Sequence, residues 1–134
     1  MTTQKTSKAL HIGLWVVQGL LAAAFGMAGF MKLTAPIEQL AENGMSFVND
    51  YSEGMVRFIG ISELLGALGL IIPAAFRFKT FLTPLAAVGL AIIMILATSY
   101  HIGANEPIIG SVVFFVLTTF IAWGRFKLAP IQAK

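Results

Sequence analysis

The stretch Met55–Pro73, MVRFIGISELLGALGLIIP, decides how the rest of the chain is read. Extended to Ala75, it is as long as the roughly twenty apolar residues that cross a bilayer as a helix. One carboxylate, Glu63, lies well inside it. A helix rises about 1.5 Å per residue, so Glu63 sits roughly 12 Å along from Met55. A lone acid at such a depth is costly unless another group meets it, which makes it a functional-site candidate by default.

Three further segments have the same character. The predicted spans are 12–31, 56–75, 81–100 and 108–123. The chain has 134 residues, 57% hydrophobic and 11% charged, whereas soluble domains carry about 25% charged residues. There is too little polar surface to face water all round. The expectation is one domain over residues 1–134, an all-α integral membrane four-helix bundle, up-down-up-down, with short connections. The basic start with Lys5 and Lys8, and the A-x-A look of Ala22-Ala23-Ala24, suggest a signal peptide. The apolar run continues seven residues further, too long for a usual signal core, so the first span is read as uncleaved.

Cations give the orientation. Lys5, Lys8, Arg77, Lys79, Arg125, Lys127 and Lys134, seven of nine, fall on one side; Lys32 and Arg57 fall on the other. All six acids, Glu38, Glu42, Asp50, Glu53, Glu63 and Glu106, lie on that second side or within the second span. The excess of Lys and Arg places both termini in the cytoplasm, with Trp15 and Trp123 near the inner interface. The net charge of +3 is therefore a membrane signal, and no nucleic acid is expected as partner.

The outer half then collects polar groups. Lys32 closes the first span, His101 closes the third, and Arg57 and Glu106 flank the same mouth. Helical spacing gives each span one face of small or polar residues: Gln18, Ala22, Phe25, Gly29 and Lys32; Val56, Ile59, Gly60, Glu63, Ala67 and Leu70; Ala87, Met94, Ala97, Thr98 and His101; Ser111, Phe115, Thr118 and Ala122. These faces are assigned to the interior, and the repeat Gly19, Ala22, Gly26, Gly29 to a close helix approach. Lys32, Glu63 and His101 form the expected ligand-binding or proton-exchanging site, with Glu63 met by the other two. Each has a plainer reading: Glu63 as a packing device, Lys32 snorkelling to headgroups, His101 as a polar helix end. The connection Thr34–Gly54 is expected to hold a short amphipathic helix around Ile37–Glu42, and to be a plain connector or a cover over the mouth.

With no cysteine, thiol chemistry and disulfides are excluded. His11 and His101 fall at opposite membrane faces, a poor set for a metal or a haem. No phosphate-binding, hydrolase or metalloprotease motif is present.

GMAGFMKL at Gly26–Leu33, ISELLGALGLIIP at Ile61–Pro73 and IIMILATSYH at Ile92–His101, in this order and spacing, resemble the DoxX family of small four-helix membrane proteins. The resemblance covers about residues 12–124. Family patterns often place an Arg near where this chain has Gln18, and that departure leaves Lys32 as the expected internal cation. Some family members look like subunits of quinone-linked oxidoreductases. The resemblance thus implies a redox-associated membrane subunit in the bacterial inner membrane, with a quinone as candidate cofactor, other membrane or redox subunits as partners, and Lys32, Glu63 and His101 as the polar site. The alternatives are a non-catalytic module that binds lipid or assembles with a partner, and, less favoured, a small-solute or proton pathway.

Overall fold

The computed structural model describes residues 8–133. Lys5 and Lys134, which enter the orientation argument, lie outside the described residues. Five helices follow in order: α1 Lys8–Thr34, α2 Ile37–Glu42, α3 Glu53–Phe76, α4 Leu82–Gly103 and α5 Ile109–Trp123. A single 3₁₀ turn, Ser46–Asn49, precedes α3, and a wide π-type turn, Gly124–Leu128, continues α5. Four of these helices, with α5 taken on to Leu128, are long and apolar enough to cross a membrane. The all-helical four-span architecture is therefore the expected one, and no strand occurs among the described residues.

The helices overrun most of the predicted ends. The first span runs 8–34 against the predicted 12–31, and the third 82–103 against 81–100. Hydropathy marks the part in hydrocarbon, while the backbone stays hydrogen-bonded as a helix into the interface. Helix ends are set by local chemistry instead. Ser52 starts α3 by accepting a hydrogen bond from the Met55 amide at 3.2 Å, satisfying one of the first-turn donors. Arg77, at φ 56°, turns the chain left-handed after α3.

Inward-facing positions fall at helical spacing. On α3, Val56, Gly60, Glu63, Ala67, Leu70 and Ala74 are buried. Of these, Ala67 and Leu70 meet Leu21 and Phe25 of α1, Ala87, Leu90 and Met94 of α4, and Ile121 of α5 in one core. Large apolar residues on the other faces, Phe58 and Leu65 of α3, Leu96 of α4 and Ile109 of α5 among them, stay exposed. Such a surface fits hydrocarbon and not water.

Neighbouring helices run antiparallel. Gly29 and Gly60 cross backbone to backbone, while Gly26 faces Ala67 farther along. Without side chains there, α1 and α3 approach as small-residue helix pairs do in lipid. Gly19 takes no part in the crossing: nothing lies within 4 Å of the place its Cβ would occupy. Of the expected repeat, Gly26 and Gly29 make the close crossing, Ala22 packs against the core, and Gly19 stands outside it.

Pro73 lies inside α3 and brings no amide hydrogen to the Gly69 carbonyl one turn before it. The hydroxyl of Thr83 at the start of α4 donates to that carbonyl instead, at 2.8 Å. One helix break thus becomes an α3–α4 contact. Pro84 lies in the first turn of α4, as expected.

The connection between α1 and α3 is folded, not a plain tether. Leu40 of α2, Val48 of the 3₁₀ turn and Val56 of α3 are all buried in a second, smaller core, joined by Met31, Ile37 and Phe47. Residues 36–50 therefore form a strap packed at the mouth of the bundle.

Candidate functional site

The mouth is built from the end of α1, the strap, the start of α3, the end of α4 and the loop 104–108. Lys32 reaches Glu63 directly. Its Nζ lies 2.5 Å from Oε1, and only 12% of the lysine side chain and 3% of the glutamate side chain are exposed. The glycine crossing makes the reach possible, because a Cβ at Gly60 would lie 2.9 Å from that of Lys32. Lys32 and Glu63 are each three residues beyond a crossing glycine, on the same face of their helices.

An aromatic cluster reaches the lysine through Phe47. Phe47 of the strap turns its ring to the ammonium, 5.6 Å from nitrogen to ring centre, close enough for a cation–π attraction. Phe47 then meets Tyr51 at 6.0 Å and Tyr100 at 6.4 Å between ring centres. Tyr100 contacts the His101 ring at 5.8 Å. Arg57 fastens the end of α1, donating to the Lys32 and Ala35 carbonyls at 2.9 and 2.6 Å and reaching Glu53 at 3.2 Å. The Lys32 carbonyl is among the last of α1, which lack intrahelical donors, and the Ala35 carbonyl follows directly after the helix.

His101 does not join Glu63. Its Nδ1 donates to Glu106 at 2.8 Å, and the other carboxylate oxygen of Glu106 accepts from the Ser46 hydroxyl. Tyr100 donates in the same way to Asp50. The reason is depth. His101 lies in the last turn of α4, whereas Glu63 lies ten residues into α3, roughly 15 Å along it. The expected three-way meeting is thus a Lys32–Glu63 pair below and a Ser46–Glu106–His101 set above, with Phe47 and Tyr100 between.

The upper set is a latch for the strap. The Ser46 hydroxyl first, and the His101 imidazole second, hold the Glu106 carboxyl below the usual carboxylate range. A carboxyl depressed on folding contributes stability above its unfolded pKa, and that contribution is lost as pH falls through the folded one. The latch is therefore expected to hold at neutral pH and to open below the usual carboxylate range. In a Ser46→Ala variant the Glu106 titration, followed by carbon NMR of its carboxyl, should move to higher pH. An unmoved midpoint would remove Ser46 from the latch.

One charged residue escaped the sequence reading. Arg125, in what reads as a basic tail, is 2% exposed. Its Nε donates to the Gln18 side-chain oxygen at 2.7 Å, and the Gln18 amide donates to the Leu70 carbonyl at 2.6 Å. Lys32 is therefore not the sole internal cation: the C-terminal turn delivers a guanidinium to Gln18 from another helix. The available signal was Gln18 itself, an amide on an apolar helix whose oxygen and nitrogen both need partners.

No curated protein and no solved structure matches the chain. A family model, the DoxX-like family, matches residues 16–124, a range that includes two of the four spans whole and most of the other two. With four helices built to cross a bilayer, this multi-pass integral membrane protein belongs to the DoxX-like family.

Proposed function

We propose that the protein is a redox-associated, quinone-linked membrane subunit whose working element is the Lys32–Glu63 pair. The observation that carries this reading is that pair: an ammonium donor and a proton-accepting carboxylate 2.5 Å apart, inside a span, with the Phe47 ring against the ammonium and Tyr100 next to Phe47. A quinone offers a flat ring with two carbonyl acceptors. Lysine can donate to such an oxygen, a carboxyl can hold or release the accompanying proton, and aromatic rings can flank the ligand ring. The donor set and the ring wall fit such a ligand. His101 and Glu106 form a second imidazole–carboxylate pair at the mouth, with 33% and 29% of their side chains exposed. A quinone supplies two-electron, two-proton chemistry; the electrons come from a partner oxidoreductase, because the chain has no cysteine. The reading includes a place in the bacterial inner membrane with both termini in the cytoplasm, supported by the seven cations that the span order puts on that side.

The alternative, a non-catalytic lipid- or partner-binding module, is favoured by one feature: Lys32 and Glu63 already satisfy each other. A binding titration separates the two. Purified protein in nanodiscs should bind a short-chain ubiquinone or menaquinone analogue, and Glu63→Gln should weaken that binding about tenfold or more, as expected for losing a charge-assisted contact. Absence of binding by the native chain would leave the module reading.

A further inference from the structure

The end of the bundle opposite the mouth has positive charge and, among the described residues, no carboxylate to balance it. Lys8, Arg77, Lys79, Arg125 and Lys127 gather there, whereas all six acids of the sequence lie in the mouth half. Arg125 sharpens the point. It is buried, and its partners are neutral: Gln18 Oε1, the Ala129 carbonyl at 2.9 Å and His11 Nδ1 at 3.0 Å. Its Nη2 is buried with no partner. A buried cation normally has an anion against it, and this one has no carboxylate.

A groove of about 580 Å³ lies beside it. It runs between the start of α1, the end of α3 and the C-terminal segment, with Lys8, His11, Trp15, Ala74, Arg77 and Ile131 in its walls. Two of these are also the neighbours of Arg125: His11 accepts from it, and Trp15 lies 5.7 Å from the guanidinium carbon to the ring. Arg125 is thus directly behind the wall. A guanidinium has donors only, so the His11 Nδ1 in that bond is the acceptor and, in the neutral ring, the proton sits on Nε2. The wall offers Lys8, the Nε2–H of His11 and Arg77. Arg77 is steadied by its Nε bond to the Gln132 carbonyl at 2.7 Å, which also ties down the C-terminal segment.

We propose that this groove binds the phosphate of an anionic glycerophospholipid. A phosphate oxygen is a strong acceptor that such a donor set suits, and its charge offsets Arg125 across one layer of side chains. Ala74, Ala75, Pro130 and Ile131 make the rest of the wall apolar, and Phe76 and Trp123 stand exposed at the same end. The phosphate therefore belongs to a molecule that also carries acyl chains. Basic pockets between spanning helices are a known physical solution for lipid headgroups.

The test uses the full chain, delipidated in detergent and titrated with dioleoyl phosphatidylglycerol, dioleoyl phosphatidylcholine or inorganic phosphate. Native mass spectrometry reads the bound species and a thermal melt reads the stabilisation. Phosphatidylglycerol should bind at least tenfold more tightly than phosphatidylcholine and raise the melting temperature. Lys8→Gln/Arg77→Gln should weaken it about 30-fold, from the electrostatic worth of two basic groups near a membrane face. Lys79→Gln/Lys127→Gln, which removes two cations from the same end but not from the groove wall, should leave it unchanged. Equal loss in both double variants would mean diffuse surface charge and would overturn the site. Stabilisation by inorganic phosphate equal to that by the lipid would overturn the lipid assignment. Comparing the lipid-free melts of both double variants with the native chain separates lost binding from lost folding.

Discussion

Lys32→Met is expected to destabilise the bundle by about 3–5 kcal/mol, the cost of leaving one partner of a buried ion pair behind. The stranded group is Glu63, with 3% of its side chain exposed and ten residues of α3 between it and the helix start. The reverse change should be milder. Glu63→Leu strands Lys32, which lies in the last turn of α1 and is 12% exposed. A lysine near a helix end can extend its long stem to carry the ammonium to the interface. The double variant Lys32→Met/Glu63→Leu removes both charges and keeps the volume, so it should return to within about 1–2 kcal/mol of the native chain. Reversible unfolding in mixed micelles of the four proteins gives the coupling energy directly. If the two single losses simply add, the short contact carries no pairwise energy, and the pair cannot be what fixes α1 against α3.

The inner face of α3 was legible because lipid removes the usual hydrophobic contrast. Where every surface is apolar, small and polar residues mark the interior, and Gly60, Glu63 and Ala67 did so at helical spacing. The same logic failed at Gly19, whose smallness serves no contact; a stripe of small residues does not say which of them meet a partner. Lys32 and Glu63 could be paired by sequence because each lies at a fixed offset from a glycine that crosses the other helix. His101 could not be placed so easily. A closer acid, Glu106, lay five residues on, and a partner across a short turn costs far less chain entropy than one deep in another helix. The strap was hard to read for a different reason. Leu40, Val48 and Phe47 form no periodic pattern, and their burial depends on Val56 and Met31 arriving from two separate helices. Arg125 was read as one of seven orientation charges, yet it is an interior residue. Such counting is blind to which cations turn inward.

Gly29→Ala should uncouple the same pair without touching either charge. A Cβ at Gly29 would stand 2.7 Å from the Gly60 carbonyl oxygen and 2.7 Å from the Leu64 amide nitrogen. Both are backbone atoms and cannot rotate aside, so the two helices must separate. Overpacking of this kind costs typically about 1–3 kcal/mol, against a gain of about 1 kcal/mol from replacing glycine by alanine inside a helix. The net loss should therefore be modest in stability and larger in coupling. Lys32 and Glu63 sit one turn from the crossing on facing helices, so any separation there lengthens their contact. Repeating the double-mutant cycle in the Gly29→Ala background should return less than half the native coupling energy. Gly19→Ala is the control. It adds the same methyl group on the same helix, meets nothing within 4 Å, and should stabilise by up to about 1 kcal/mol through helix propensity alone. Should both alanines behave alike, backbone approach at Gly29 and Gly60 is not what brings the lysine to the acid, and the pair must owe its geometry to the strap pressing Phe47 on Lys32 from above.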